Sequence, residues 1–578
     1  MAIFPSPRPA IPDGSRRKPR GLHAVALSLL VAFGLAAFYN HRFWQVLVGN
    51  SATDTFHGLA FVVASFVFIA LWLSLFVHLT SVRRVFKPLL IALLLIAALA
   101  DYFTARYGVI IDKSMIQNIV QTDTAEATEL LSGDLLRHLL IYFALPALAI
   151  AWVPLRRQTL ASEVRQRVAV LALSLVVMGG LFLGFNKDFT FLFRQHPELR
   201  SLITPTYPIH AGIKYLRERN RAPTERVAIA LDAHRADDGP RNISIGAKRP
   251  TLFVMVVGET ARAENFGLNG YARDTTPELG ALNVVDFRHT ESCGTSTAES
   301  LPCMFSHLAH DDYDSAEAAG YDNLLDVLAR AEVPVLWVDN QGGCKGVCDR
   351  VEHVYTRDLN IAGLCADGEC HDEIMLRTLR ERVLDNPDAN GDRFVVLHQM
   401  GSHGPAYYKR VPDAFRRFTP ECRSVNLQEC SAEEVRNSYD NTIAYTDHVL
   451  AETIRLLAGH QDEYDIALYY VSDHGESLGE KGLYLHGMPY LLAPDQQTRV
   501  PAIMWLSEGF TRSHGVARPC LHDHDTDVDS HDNIFHTVLG AFDVETQEYQ
   551  VEKDLLAVCR APRDGVHVAG EPPPSRTP

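Results

Sequence analysis

Three short runs in the second half of this chain end an apolar stretch on residues that can hold a metal or move a proton. Gly258-Glu259-Thr260 follows the stretch 252–257, Gly401-Ser402-His403-Gly404-Pro405 follows 394–398, and Ser472-Asp473-His474-Gly475-Glu476 follows 466–471. Carboxylate oxygens and imidazole nitrogens that reach one place from separate segments can share one cation. That donor set suits Zn²⁺, which takes four ligands and polarises a phosphoryl oxygen. Each acidic residue alone would serve as readily as a helix N-cap, and only the joint placement sets them apart. A fourth run, Ser292-Cys293-Gly294-Thr295-Ser296-Thr297-Ala298-Glu299-Ser300, crowds hydroxyls into a loop of small residues. A hydroxyl is a weak nucleophile until a metal or a base activates it, and an ordinary Ser/Thr helix cap is the competing reading.

The elements that must position these groups are legible around them. The stretch 252–257 is continuous, Val-rich and ended by Gly258, as a buried parallel strand is. Similar runs occur at 333–338, 394–398, 466–471 and 502–506, separated by helical stretches such as 322–331 and 438–457. This predicts an α/β sheet covered on both faces, with its ligand site beyond the carboxyl ends of the strands. The His/Asp-rich run from His522 to Asp532 reads as a solvated loop in which Asp529 or Ser530 caps the following helix.

All ten cysteines lie after residue 290. They fall into neighbours, Cys293 with Cys303, Cys344 with Cys348, Cys365 with Cys370 and Cys422 with Cys430, leaving Cys520 with Cys559. An even count at short spacing points to disulfides made in an oxidising compartment, with sequential pairing the preferred connectivity. The net charge of −16 excludes nucleic acid as a partner, because such a binder presents a basic surface.

The first half is different. Five apolar stretches, 22–38, 58–79, 88–103, 139–155 and 168–185, have the length a bilayer core requires. The first is a retained helix and not a signal peptide, since bulky Phe38, Tyr39, Phe43 and Trp44 follow where a cleavage site would lie. Basic residues gather at Arg16, Arg17, Lys18 and Arg20, at Arg83, Arg84 and Lys87, and at Arg156, Arg157, Arg165 and Arg167. The positive-inside rule then puts the N-terminus in the cytoplasm and everything after residue 185 outside, where the cysteines also belong. In the loop 106–134, the segment 114–131 has helical periodicity, with Met115, Ile116, Ile119 and Val120 on one side, and is expected on the membrane surface. A second such element is expected over 189–216. The predicted order is a disordered 1–20, a five-helix membrane domain 21–188, an interfacial and linker region 189–249, a catalytic domain 250–560 and a disordered tail 561–578.

At these motifs the chain closely resembles the lipid A phosphoethanolamine transferases, the family that includes the mobile colistin-resistance enzymes. The matching residues are Gly258-Glu259-Thr260-Ala261-Arg262, Cys293-Gly294-Thr295-Ser296-Thr297-Ala298, Pro302-Cys303-Met304-Phe305-Ser306, Gly343-Cys344-Lys345-Gly346-Val347-Cys348-Asp349, Gly401-Ser402-His403-Gly404-Pro405, and the run from Asp473 to Glu480 with Leu485-His486-Gly487. The resemblance implies an alkaline-phosphatase/sulfatase-like periplasmic domain on five inner-membrane helices, acting as a monomer. It implies one zinc ion, or two, with Glu259, Thr297, Asp473 and His474 as ligands and Thr297 as nucleophile. His403 and His486 would serve catalysis and substrate binding. Lys345, Glu476 and, on one helical face of the outer loop, Asn118, Thr122 and Glu126 would bind substrate. The implied reaction moves phosphoethanolamine from phosphatidylethanolamine to a lipid A phosphate through a phosphoethanolamine–threonine intermediate, contributing to polymyxin resistance. Other acceptors for the same chemistry are core sugars and periplasmic glucans. A sulfatase would need a C-x-P-x-R motif, which is absent. The C-G-T-x-T and G-S-H-G-P motifs speak against a lipoteichoic-acid-type phosphoglycerol transferase. The complete ligand set speaks against a catalytically inactive metal-binding sensor.

Overall fold

The computed structural model describes residues 21–80, 85–122, 124–156, 158–221, 226–236, 249–366, 368–389, 391–525 and 527–560. Both terminal segments, Arg83, Arg84, Arg157, most of the expected linker and the side chain of Glu126 lie outside the described residues. The chain divides into two compact units, and the division departs from the expected domain limits. Residues Phe103–Ser132, expected with the membrane half, belong with the catalytic half, and the membrane unit resumes at Gly133–Pro208.

In the membrane unit, α1 (Ala24–Phe38) bends by 60° into α2 (His41–Gly49). Next come α3 (Phe56–Thr80) and α4 (Phe86–Tyr107). After the outer loop, with its α5 (Lys113–Gln121) and α6 (Thr124–Glu129), follow α7 (Gly133–Trp152) and α8 (Leu160–Gly184). Among the described residues, four helices are long and apolar enough to cross a bilayer, and the bent pair makes a fifth if it counts as one span. The element expected over 189–216 is three pieces: α9 (Asn186–Gln195), a 3₁₀ turn at Pro197–Leu202, and α10 (Thr206–Arg219). Pro197 and Pro205 interrupt it, since proline cannot donate the helical hydrogen bond.

The catalytic unit is built on an eight-stranded mixed sheet. In chain order its strands are β1 (Thr251–Gly258), β2 (Val285–Glu291), β3 (Val335–Asp339), β4 (Glu352–Tyr355), β5 (Arg393–His398), β6 (Asp465–Ser472), β7 (Arg499–Leu506) and β8 (Val528–Ser530). Their spatial order is β8-β2-β7-β6-β1-β5-β3-β4. β1 is central, parallel to β6 and β5, and β7 alone runs against its neighbours β6 and β2. All eight residues of β1 are buried, with apolar clusters on both faces of the sheet. Burying each such side chain contributes about 1.5–3 kcal/mol.

Register decides what meets at the carboxyl edge. Gly258 pairs with Ser472 and Val257 with His398, so Glu259 and Asp473 leave adjacent strands at one level. β2 ends at the same edge and releases the hydroxyl-rich loop there, because Glu291 pairs with Arg499 at the start of β7. The loop then enters α11 (Thr297–Met304). On the covering face, α12 (Leu324–Arg330) starts from an Asn323/Asp326 capping box. On the other side α13 (Ala432–Ala458) starts from a Ser431/Glu434 box, one and a half turns before the start at 438 that the apolar pattern suggested.

Asp286 in β2 is 8% exposed, and neither carboxylate oxygen has a hydrogen-bond partner among the described residues. Burial pushes its pKa up to about 7, with Arg288 pulling the other way. A raised carboxylate pKa means the ionised form penalises the fold. The penalty is absent below about pH 4, grows towards pH 7 and is full above it. Asp286→Asn is therefore expected to raise stability at pH 8 by on the order of 2 kcal/mol, read as a higher thermal unfolding midpoint, and to have little effect at pH 4.5. Parallel melts at the two pH values check this, and an equal shift at both would contradict it.

Candidate metal centre and active site

Glu259, Asp473 and His474 are fully buried and Thr297 is 4% exposed, yet their polar atoms face one another. One ligand atom from each of Glu259, Asp473 and His474 lies within 4.8 Å of the others. The Thr297 hydroxyl stands 3.2 and 3.1 Å from the two Glu259 oxygens and 3.3 Å from His474 Nε2. His474 Nε2 is in turn 3.5 Å from Glu259 and 3.4 Å from Asp473 Oδ2. All four residues expected to share a cation are brought together.

Backbone geometry fixes each of them. Asp473 Oδ1 accepts from the N–H groups of Thr260 and His474, and Oδ2 is left buried without a hydrogen-bond partner among the described residues. His474 Nδ1 donates to Gly475 O at 2.9 Å, so the Nε2 lone pair faces the carboxylates. Burial pushes Asp473 up to about 6 and His474 down to about 4, which keeps the imidazole neutral, the form that ligates metal. Gly401, with φ of +52°, comes so close that a Cβ would sit 2.7 Å from Glu259 O. An orphan carboxylate oxygen, a second carboxylate, an aimed imidazole lone pair and a hydroxyl fit a divalent cation such as zinc.

The hydroxyl-rich loop is fixed just as firmly. Cys293 is bridged to Cys303, and Thr295 bonds through its carbonyl to Gly487 N and through its hydroxyl to Met488 O. The other disulfides join Cys344–Cys348, Cys365–Cys370, Cys422–Cys430 and Cys520–Cys559, the sequential pairing.

His486 lies beside the metal residues, its ring 4.4 Å from that of His474 and 6.0 Å from that of His403. Its Nδ1 meets Glu476 Oε2 at 2.9 Å, while Tyr407 OH donates to Glu476 Oε1. Glu476 is fully buried, and that burial raises its pKa to about 8. It orients His486 from below. Lys345 lies in the loop closed by Cys344 and Cys348, and its ammonium donates to Gln121 O. In α5, Asn118 and Thr122 are half-buried and bonded to each other, Thr122 Oγ1 donating to Asn118 O at 2.8 Å. The buried face of α5 is instead Ser114 and Gln117, while Ile119 and Val120, expected against the membrane surface, are exposed.

In the His/Asp-rich run, Ser530 is the one of the two expected capping residues that meets the start of the helix. Asp529 caps nothing, being part of β8, and α14 (Asp532–Ala541) has no side-chain cap on its N-cap residue His531. Ser530 Oγ accepts from Asp532 N at 3.2 Å, at the edge of the helix. Nor is the whole run solvated, since His531 is 2% exposed. Its Nδ1 accepts from Cys293 N at 3.0 Å, and its Nε2 donates to Ser472 O at 2.9 Å. It thereby ties the hydroxyl-rich loop to the strand end that carries Asp473. His531→Phe keeps an aromatic ring, slightly larger, and removes both bonds. The expected outcome is a loss of about 2–4 kcal/mol in stability and slower donor turnover, checked by thermal unfolding and a turnover assay.

A sulfatase family model matches residues 251–544, and one described as phosphoethanolamine transferase EptA/EptB matches 69–220. The chain is 40% identical over 543 residues to phosphoethanolamine transferase EptA of Escherichia coli K12, covering 93% of this chain and 97% of that one. This chain belongs to the phosphoethanolamine transferase family. Its similarity to the Escherichia coli phosphatidylethanolamine transferase Mcr-1 is 38% identity over 554 residues, 94% of this chain and 98% of that one. The integral membrane lipooligosaccharide phosphoethanolamine transferase A of Neisseria meningitidis superposes with a TM-score of 0.89 at 35% identity, covering 94% of this transferase and all of that chain. Both halves are therefore of one family, and the sulfatase-like sheet is the scaffold of a phosphoethanolamine transferase.

Proposed function

We propose that this chain takes phosphoethanolamine from phosphatidylethanolamine and passes it to a lipid A phosphate through a phosphoethanolamine–Thr297 intermediate. It works as a monomer in the bacterial inner membrane, with the N-terminus cytoplasmic and the sheet domain periplasmic. The observation that supports this most is the single hydroxyl, Thr297 Oγ1, held against Glu259 and His474 at the carboxyl edge of the sheet. Glu259, Thr297, Asp473 and His474 would hold the zinc ion, which would lower the pKa of that hydroxyl and polarise the phosphoryl oxygen.

The chain's own residues do the rest. Thr297 Oγ1 forms a bond to the donor phosphorus as its proton passes towards Glu259, the acceptor within reach. The bond from phosphorus to the diacylglycerol oxygen breaks, and that oxygen takes a proton from His403 or His486. His486 suits this task because Glu476 holds its Nδ1 and fixes its ring beside that of His474. In the second half, a lipid A phosphate oxygen attacks the same phosphorus, the Thr297 O–P bond breaks and the hydroxyl recovers its proton. Masking a lipid A phosphate with an ammonium-bearing group weakens the pull on cationic polymyxins. Mass spectrometry of lipid A from a host expressing the native chain should show a phosphoethanolamine addition that is missing with Thr297→Ala. An unchanged profile with the native chain would move the acceptor elsewhere.

A further inference from the structure

Helix α11 carries Thr297 in its first turn and contains a proline, Pro302. In an α-helix the carbonyl of residue 298 takes its hydrogen bond from the N–H of residue 302, and a proline there has none to give. Ala298 is fully buried and next to Thr297, so a deficit at its carbonyl falls where the nucleophile is set. The donor comes from another part of the chain. Gln117 in α5 sends Nε2 to Ala298 O at 2.8 Å, and its Oε1 accepts from Ser315 Oγ at 3.0 Å. Gln117 is 8% exposed, so this bond is sheltered from water.

Two further contacts seat α5 on the same ground. Gly487, next to His486, has φ of +84°, and the Met115 methyl stands 2.4 Å from where a Cβ would be. Lys113 at the start of α5 pairs with Glu218 at 3.0 Å and Asp314 at 3.6 Å. Helix α5 thus touches the nucleophile helix and the turn bearing His486. In sequence it lies between two apolar spans, α4 and α7.

We propose that Gln117 is a positioning residue for the nucleophile: it completes the first turn of α11 in place of the N–H that Pro302 lacks, and so makes the outer membrane loop part of the active site. The proposal rests on the reading of Thr297 as nucleophile and deepens it. It gives the full-length chain a reason to keep its catalytic unit attached to the loop. Without Gln117 the Ala298 carbonyl must turn to find a donor, and the Thr297 hydroxyl moves off the line of attack.

The test is a double-mutant cycle on the full-length protein in detergent, with fluorescent phosphatidylethanolamine as donor. Gln117→Met keeps the shape and removes the amide. It should lower kcat by about tenfold or more, the effect of leaving a buried carbonyl unpaired, with the donor KM within about twofold of the native value. Pro302→Ala restores the missing backbone N–H, so in that background Gln117→Met should cost less than about twofold against Pro302→Ala alone. An unchanged kcat for Gln117→Met, or an equal loss in both backgrounds, overturns the proposal. If Gln117→Met alone fails to fold, recovery of folding and turnover in the double variant supports the same role, and failure in both backgrounds overturns it. Thr297→Ala is run alongside: turnover surviving in that variant would sink the nucleophile reading itself, a different outcome from any of these.

Discussion

Thr297→Ala is expected to cut release of diacylglycerol from phosphatidylethanolamine by roughly 10⁴-fold or more, while the protein melts close to the native temperature. The two halves of this expectation have separate causes. Turnover collapses because Thr297 Oγ1 is the hydroxyl held within 3.3 Å of both Glu259 and His474, and a methyl group cannot form the covalent intermediate. Stability survives because the loop is fixed by other bonds: the Cys293–Cys303 bridge, Thr295 to Met488 and His531 to Cys293. Thr297→Ser keeps the oxygen and loses only a methyl that restricts its rotamer, so it should retain activity within about one to two orders of magnitude of the native level. Turnover and melting of the three proteins, purified in the same detergent, check both halves. An alanine variant within tenfold of the native rate would contradict the assignment.

The second large effect is at Asp473, and its sign depends on the metal. Glu259 and Asp473 are two fully buried carboxylates near each other, a costly arrangement unless a cation lies between them. Asp473→Asn preserves an oxygen for the N–H groups of Thr260 and His474 and removes the negative charge from the side that has no partner. In chelated protein this substitution should raise the melting temperature, since it relieves the repulsion. In zinc-supplemented protein it should lower it, since a ligand is lost. Turnover with zinc should fall by about three orders of magnitude. The native chain should lose activity on chelation and regain it with zinc. Melting curves with and without chelator decide the matter; a shift of the same sign in both would mean that no cation is bound between these carboxylates.

The central sheet and its functional edge were largely legible in the sequence, for a physical reason. A strand buried on both faces must be apolar throughout, and the abrupt change to Gly-Glu-Thr or Ser-Asp-His marks where it emerges. β1, β5 and β6 announce themselves this way, and the ligands follow directly. β2 does not. Its sequence, Val-Asp-Phe-Arg-His-Thr-Glu, places polar residues at buried and exposed positions alike near the sheet edge, so no apolar run marks it. Yet it is the strand that brings the hydroxyl-rich loop to the edge where Glu259 and Asp473 emerge. The start of α13 was written in the Ser431-x-x-Glu434 capping box and obscured by a polar first turn. His531 was hidden among seven other His and Asp residues of mixed exposure, and only tertiary packing separates it from them. Gln117 had one local signal, a proline in a helix with an unanswered carbonyl, but its partner lies 181 residues away, and no spacing rule reaches that far. The packing of α5 stayed hidden for the same reason. Periodicity finds an apolar stripe, whereas the face buried here is polar and is bonded to the catalytic unit.

The most direct test is peptide mass spectrometry of full-length protein quenched after incubation with phosphatidylethanolamine and zinc, with no lipid A present. The mechanism predicts one phosphoethanolamine on the peptide spanning residues 292–304, localised to Thr297, which disappears when lipid A is added. An adduct on a different side chain, or steady donor turnover with Thr297 never modified, would contradict it.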